Sequence, residues 1–269
     1  MRVPKFPLQS AEYIWVKTRP AGAIFIFVKD SIDRLSPSGR ELLRGKALMI
    51  AHDPIDRPIT ETPFSHVDLH IASSLAQKNA LDNYLLASDA RGARCGLLLH
   101  QPDNRLPENP STPTDRLRPA YFGDPKNAHL PELIAERVQV VDVGLYPAMT
   151  ERLSLFGQAN FHYAIRPQAQ TANTQVFKPL TKAVTAARCC VPVLVNRAAH
   201  DAEALLGSDY PYLVDKIDSD SVRSALEAAQ MAFGGKQWQR ALDRMRYLAS
   251  LISPKRTARD LEQLLDIIE

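Results

Sequence analysis

The sequence predicts an α/β fold made of two doubly wound, parallel-sheet domains, on three observations. Short apolar runs rich in β-branched and aromatic residues alternate with helical stretches at the spacing of βαβ units. A proline-rich polar stretch at residues 101–119 interrupts this alternation. The alternation then resumes and ends in consecutive helical segments at 219–233, 236–251 and 257–268. We therefore expect a shortened N-terminal domain over residues 1–110 and a C-terminal domain over 111–269, facing each other across a cleft, with the last helices closing the structure.

Residues 23–28 (AIFIFV) form a continuous apolar run that reads as a strand buried on both faces. Ser36 and Pro37 supply an N-cap and an early proline for the next helix, and Gly45 stands where a left-handed C-cap residue belongs. The next strand is 46–51 (KALMIA), ending at His52, Asp53 and Pro54. Residues 67–72 (VDLHIA) give a third strand, Ser73 and Ser74 cap a helix through Leu86, and 95–100 (CGLLLH) give a fourth. Beyond the 101–119 connection, which reads as exposed, strands are expected at 119–122, 138–143, 161–165, 191–196 and 212–215. Helices fall near 129–137, at 150–158 and at the small-residue run 180–188. Trp238, Tyr247 and Leu251 recur at helical spacing and are expected to pack the closing helices.

Composition narrows the function. The formal charge is +3, and the 33 basic and 30 acidic residues are interspersed rather than gathered into a stripe with aromatics, which argues against nucleic acid. No apolar run reaches bilayer length, and the first residues lack the apolar core of a signal peptide, so a cytoplasmic protein without a transmembrane segment is expected. Cys95, Cys189 and Cys190 suit a reducing compartment, and the last two read as small buried residues rather than nucleophiles. No ligand spacing of a zinc site is present, so neither a protein metal site nor a resident cofactor is expected.

In open parallel sheets, ligands bind beyond the carboxyl ends of strands, where helix N-termini favour anions. The loops after strands are therefore the informative ones. Lys178 and Lys182 lie about one turn apart around Pro179 and Thr181, and Arg166 opens the long loop before them. These cations make either a diphosphate clamp or a solvated helix start. With the loop at Gly123 and Asn127, they are the groups placed to hold such a diphosphate. Asp201 and Glu203 are placed either to accept ribose hydroxyls or to cap and charge a helix start. His52, Asp53 and His100 lie after strands in loops suited to a general base, or simply hydrogen-bond those loops.

The order of these segments resembles the C-terminal domain of GT-B glycosyltransferases, enzymes of two Rossmann-like domains. The resemblance rests on FKPLTKAVTAARCCVPVLV, on AAHDAEALLGSDYPYLVD and on the closing SPKRTARDLEQLL, and it runs from Arg118 to Glu269. Residues 23–106 resemble a shortened acceptor domain through FVKDSIDRL, LMIAHDPID and VDLHIASSLAQKNAL. The resemblance implies sugar transfer from a nucleotide-sugar, a substrate rather than a cofactor, to a glycan or other acceptor, and the cations Arg166, Lys178 and Lys182, with no metal-ligand spacing beside them, predict that it is metal-independent. It departs from the family in two places: Phe177 and Thr185 stand where many retaining members carry glutamates, and the glycine-rich loop of the acceptor domain is missing. Two readings are open, a glycosyltransferase or a non-catalytic glycosyltransferase-like protein that binds a nucleotide or a glycan.

Overall fold

The structure, a computed structural model, describes residues 14–62, 66–88, 92–143, 152–167 and 175–266. Its strands form two separate parallel sheets, one four-stranded and one five-stranded. The chain divides into two compact units, Met1–Leu98 with Thr174–Lys178, and Leu99–Asn173 with Pro179–Glu269.

In the first unit β1 (Ile24–Val28), α1 (Pro37–Arg44), β2 (Met49–Asp53), β3 (Leu69–Ala72), α2 (Leu75–Ala87) and β4 (Arg94–Leu97) succeed one another, and the sheet order is β1-β2-β3-β4. Each strand is laid beside its predecessor in one direction, so right-handed crossovers put the connections on a single face. On that face Phe27 and Ile50 pack with Ile32, Leu35 and Leu43. Each such side chain contributes about 1.5–3 kcal/mol on full burial. The edge strand β1 is not buried on both sides as expected. Alternation sends Phe25 and Phe27 inward and leaves Ile24, Ile26 and Val28 at 37, 45 and 48% exposure.

The caps at Ser36 and Ser74 form as the sequence predicts, their hydroxyls accepting from the Gly39 and Gln77 amides at 3.1 Å. Gly45, however, is right-handed at φ −66°, because the Lys46 and Ala47 amides both donate to the Leu43 carbonyl and close the helix without a left-handed residue. Strand β2 runs on through His52 and Asp53 rather than stopping before them, which pairs His52 with His70 on β3. The chain returns to this unit at Thr174–Lys178, where Phe177 packs on Ile59, Ala72 and Leu81 and the Ile59 amide donates to the Gln175 carbonyl at 3.0 Å.

The second unit comprises β5 (Pro119–Phe122), α3 (Glu132–Ala135), β6 (Gln139–Val141), β7 (Phe161–Ala164), α4 (Thr181–Arg188), β8 (Val193–Asn196), α5 (Ala202–Leu206), β9 (Leu213–Val214), α6 (Ser219–Ala232), α7 (Lys236–Leu251) and α8 (Pro254–Asp266). Its sheet order is β6-β5-β7-β8-β9, a doubly wound order with its reversal between β5 and β7. The proline-rich stretch is not an exposed tether. Leu106 and Leu117 are buried, and buried Asn160 accepts from the Arg118 amide at 2.7 Å while donating to the Pro113 and Arg116 carbonyls at 2.7 and 2.8 Å. One side chain thus satisfies three backbone groups of an irregular segment, and the boundary read at residue 110 falls inside this unit.

The helix expected at 150–158 is a 3-10 turn, Leu153–Gln158, with 150 and 151 outside the described residues. Trp238 packs against Phe161, Tyr212 and Phe233 as expected of a core aromatic. Tyr247 is half exposed instead, with the Arg244 guanidinium over its ring. Among the described residues no helix is long and apolar enough to cross a membrane.

Candidate functional site

The reversal in strand order places the carboxyl ends of β5 and β7 side by side with the chain leaving in opposite directions, which opens a crevice in a doubly wound sheet. Lys182, in the first turn of α4, reaches into this region. Its Nζ donates to the Phe122 carbonyl at 2.7 Å and lies 4.1 Å from the centre of the Tyr121 ring. Gly123 makes this possible. At φ +148° it holds a conformation that L side chains rarely adopt, and a Cβ there would sit 2.5 Å from the Lys182 amine.

The loop after β5 is pinned along its length. Tyr121 Oη donates to the Asp124 carbonyl at 2.9 Å, and Asp124 accepts from the Lys126 amide at 3.0 Å to start the turn Pro125–Asn127. At its far end the His129 amide donates to the Ile165 carbonyl at 2.9 Å, and Tyr163 Oη donates to the His129 carbonyl at 2.5 Å. On the β7 side, buried Asn196 clamps the backbone of Arg166, accepting from its amide at 2.8 Å and donating to its carbonyl at 2.9 Å. Fixed backbone of this kind is the preorganisation that a charge-stabilising site requires.

Electrostatically the region is dominated by Lys182. Burial, and then the positive charge of Arg166, push its amine down to about 7, against the pull of Asp124. Behind it His162 is buried beside Phe122, held at about 3 by desolvation and by Lys182, and so stays neutral. A lysine poised near neutrality beside an arginine is a group whose charge an arriving anion can switch on.

The structure therefore brings Lys182, Arg166 and Gly123 together. Asn127 belongs to the turn of the same loop, its amide donating to the Asp124 carbonyl at 3.0 Å. The Thr181 hydroxyl opens α4 but donates back to the Pro179 carbonyl at 3.3 Å. Lys178 lies outside the helix, which begins at Thr181, and belongs to the first unit, so the two lysines do not share a helical turn. Glu203 accepts from Arg197 at 2.6 Å, and the same arginine donates to Asp215 at 2.5 Å. Asp201 takes the N-cap position of α5 in a left-handed conformation at φ 64°, without a side-chain cap bond, and Glu203 stands in the first turn.

In the first unit, His52 has no exposed surface. Its Nε2 donates to the Lys29 carbonyl at 2.7 Å, its ring meets His70 edge-on, and burial lowers its pKa. An imidazole enclosed in this way is a core hydrogen-bonder and does not present a base to an acceptor hydroxyl. Asp53 differs, because it is only partly buried at the end of β2, and desolvation raises its carboxyl to about 6. His100 lies beyond the division, in the second unit. Of the two positions that depart from the family, Phe177 is committed to the first unit's apolar core, and Thr185 sits within α4. Burial pushes the Cys189 thiol up to about 12, which keeps it inert.

Sequence reasoning missed Tyr121, Asp124 and Asn196. A signal existed for Asn196 alone, a polar residue ending an otherwise apolar strand. Tyr121 read as one more strand aromatic.

Comparison of the sequence with protein-family profiles and with curated proteins finds no match. Solved structures do match in fold. Sucrose-phosphate synthase from Thermosynechococcus elongatus superposes with a TM-score of 0.58 at 12% identity, over 100% of this chain and 80% of that one. Anabaena Alr3699/HepE in complex with UDP-glucose gives 0.55 at 10% identity, over 97% and 81%. The fold is GT-B glycosyltransferase-like. The GtfA/B complex gives 0.58 at 11% identity over 99% of this chain, which spans 62% of that chain.

Proposed function

We propose that this chain is a glycosyltransferase that holds the diphosphate of a nucleotide-sugar at the carboxyl ends of β5 and β7 and transfers the sugar without a divalent metal. The observation that carries this reading is the buried Lys182 amine, kept against a glycine and beside Arg166 at the reversal of a doubly wound sheet. A departing nucleoside diphosphate develops negative charge, and Lys182 and Arg166 are the groups that would receive it. Of the groups named for the base, Asp53 has the ionisation that suits the task. The reading requires the first unit to hold the acceptor.

Titration calorimetry with UDP, ADP and GDP tests donor binding, with Lys182→Met expected to weaken the preferred nucleotide by at least about tenfold, the scale of a charge-assisted hydrogen bond. Equal affinity in wild type and variant overturns the assignment. Turnover of the matched nucleotide-sugar should persist in excess chelator, and a loss of activity restored by magnesium or manganese overturns metal independence.

A second reading is favoured by Phe177, a partly buried residue packed against the first unit's core, which leaves no carboxylate at a position where many retaining GT-B enzymes carry one. On that reading the chain binds a nucleotide or a glycan without transfer. Donor binding without any transfer or hydrolysis across an acceptor panel would select it.

A further inference from the structure

Away from the carboxyl edge of the sheet, the second unit carries a pocket of about 370 Å³ between the segment after α5 and the exposed side of α7. Beside its lining residues Leu206 and Asp209, Gly207, at φ +87°, lets the backbone pass close to the Arg244 guanidinium. A Cβ at Gly207 would stand 3.5 Å from Arg244 Nη2 and 2.9 Å from Asp209 Oδ1. The same guanidinium lies over the Tyr247 ring, 4.8 Å from the ring centre. Arg244 thus has both a glycine and an aromatic ring as neighbours, and its buried Nε has no hydrogen-bond partner among the described residues. One helical turn away, Arg240 pairs with Asp209 at 2.9 Å across the same pocket. Asp243, which also lines it, accepts from Arg246 and Gln239.

This lining is informative as chemistry. A guanidinium packed over an aromatic ring has lost rotamer freedom before any ligand arrives, and a planar fork so held suits an oxyanion. Arg240 and Arg244 lie four residues apart on α7, so both present to one side of the helix. Two carboxylates at the rim accept hydroxyl donors and repel a bare dianion, so a hydroxylated anion is favoured over inorganic phosphate. The volume admits a ligand of monosaccharide size.

We propose that this pocket is a second ligand site, distinct from the donor region at Lys182, that takes a monosaccharide bearing a phosphate or carboxylate group. The arginines receive the anionic group, and Asp209 and Asp243 receive the hydroxyls.

The test uses the full chain with glucose 6-phosphate, glucuronate, glucose and inorganic phosphate as probes, in calorimetry and in amide NMR spectra. Glucose 6-phosphate or glucuronate should bind at about millimolar affinity or better and shift the Gly207 and Arg244 resonances, with glucose and inorganic phosphate at least about tenfold weaker. Arg244→Met should weaken binding by at least about tenfold, and Lys182→Met should leave it unchanged. Arg240→Met provides a check if Arg244→Met folds poorly, with the same direction of effect expected. Failure of both anionic sugars to bind, shifts confined to other regions, an unaltered affinity in the arginine variants, or loss of binding in Lys182→Met would each overturn the proposal. Because Lys182→Met separates the two regions, failure here leaves the donor assignment standing and the reverse also holds.

Discussion

Replacing Lys182 with methionine keeps the length of the side chain and removes the charge that burial disfavours. In the folded chain the amine titrates at about 7 instead of its ordinary 10.5. Below pH 7 the amine is protonated in both folded and unfolded states, and the folded state bears the whole penalty, at most about 4–5 kcal/mol. As pH rises from 7 toward 10.5, only the unfolded state keeps the proton, so the penalty falls to about 2 kcal/mol at pH 9 and vanishes above the unfolded value. Against this gain, the variant loses the hydrogen bond to the Phe122 carbonyl, a cost of about 1–2 kcal/mol. Lys182→Met should therefore be more stable than wild type by about 3 kcal/mol at pH 6, equal to it near pH 9 to 10, and slightly less stable beyond. Urea unfolding at pH 6, 8 and 10 reads this out, with Trp15→Phe as background so that Trp238 reports the second unit. A stability difference that does not change between pH 6 and 10 would refute the reasoning, because it would mean that the amine is not held out of water.

Calorimetry at pH 8 in buffers of different ionisation enthalpy should show nucleoside diphosphate binding with uptake of close to one proton, because the anion restores the charge of Lys182. No uptake counts against Lys182 as the phosphate group's partner. If Asp53 is the base, kcat/KM should rise with pH through about 6 and fall above about 7 as Lys182 loses its proton, and Asp53→Asn should remove the rising limb. A flat profile between pH 5 and 8 excludes both assignments. Gly123→Ala should destabilise the chain by about 2–4 kcal/mol through its positive φ and the displaced amine, and by clearly less in the Lys182→Met background, a coupling that a double-mutant cycle measures. Asn196→Ala leaves the Arg166 amide and carbonyl without their clamp and should cost about 1–3 kcal/mol, with faster hydrogen exchange at Arg166.

Much of the fold was legible because its signals are local. The run at 119–122 reads as a strand, Ser36 and the pair Ser73 and Ser74 read as caps of α1 and α2, and the alternation of segments reads as two parallel-sheet domains. The features that could not be read depend on neighbours distant in sequence. The burial of β1 turned on whether another strand lay beside it, and the behaviour of 101–119 turned on Asn160, whose three hydrogen bonds no composition rule anticipates. The site divided in the same way. The cations and Gly123 were visible as residue types after strands, whereas the assignment of Lys178 to the first unit, the enclosure of His52 and the ion pair at Glu203 arise from packing.

The return of the chain to the first unit at Thr174–Lys178 sets an order of events during synthesis. A ribosome usually releases domains in sequence, so that an N-terminal one folds while the next is still being made. Here the apolar cluster of Ile59, Ala72 and Leu81 is closed by Phe177, so the earlier part of the chain cannot finish its core until the strands from β5 to β7 have emerged. A fragment ending at Leu98 should accordingly expose apolar surface and unfold more readily than the same residues in the whole chain. The N-terminal unit therefore waits for residues far beyond its own strands, and it carries an open edge strand through the interval.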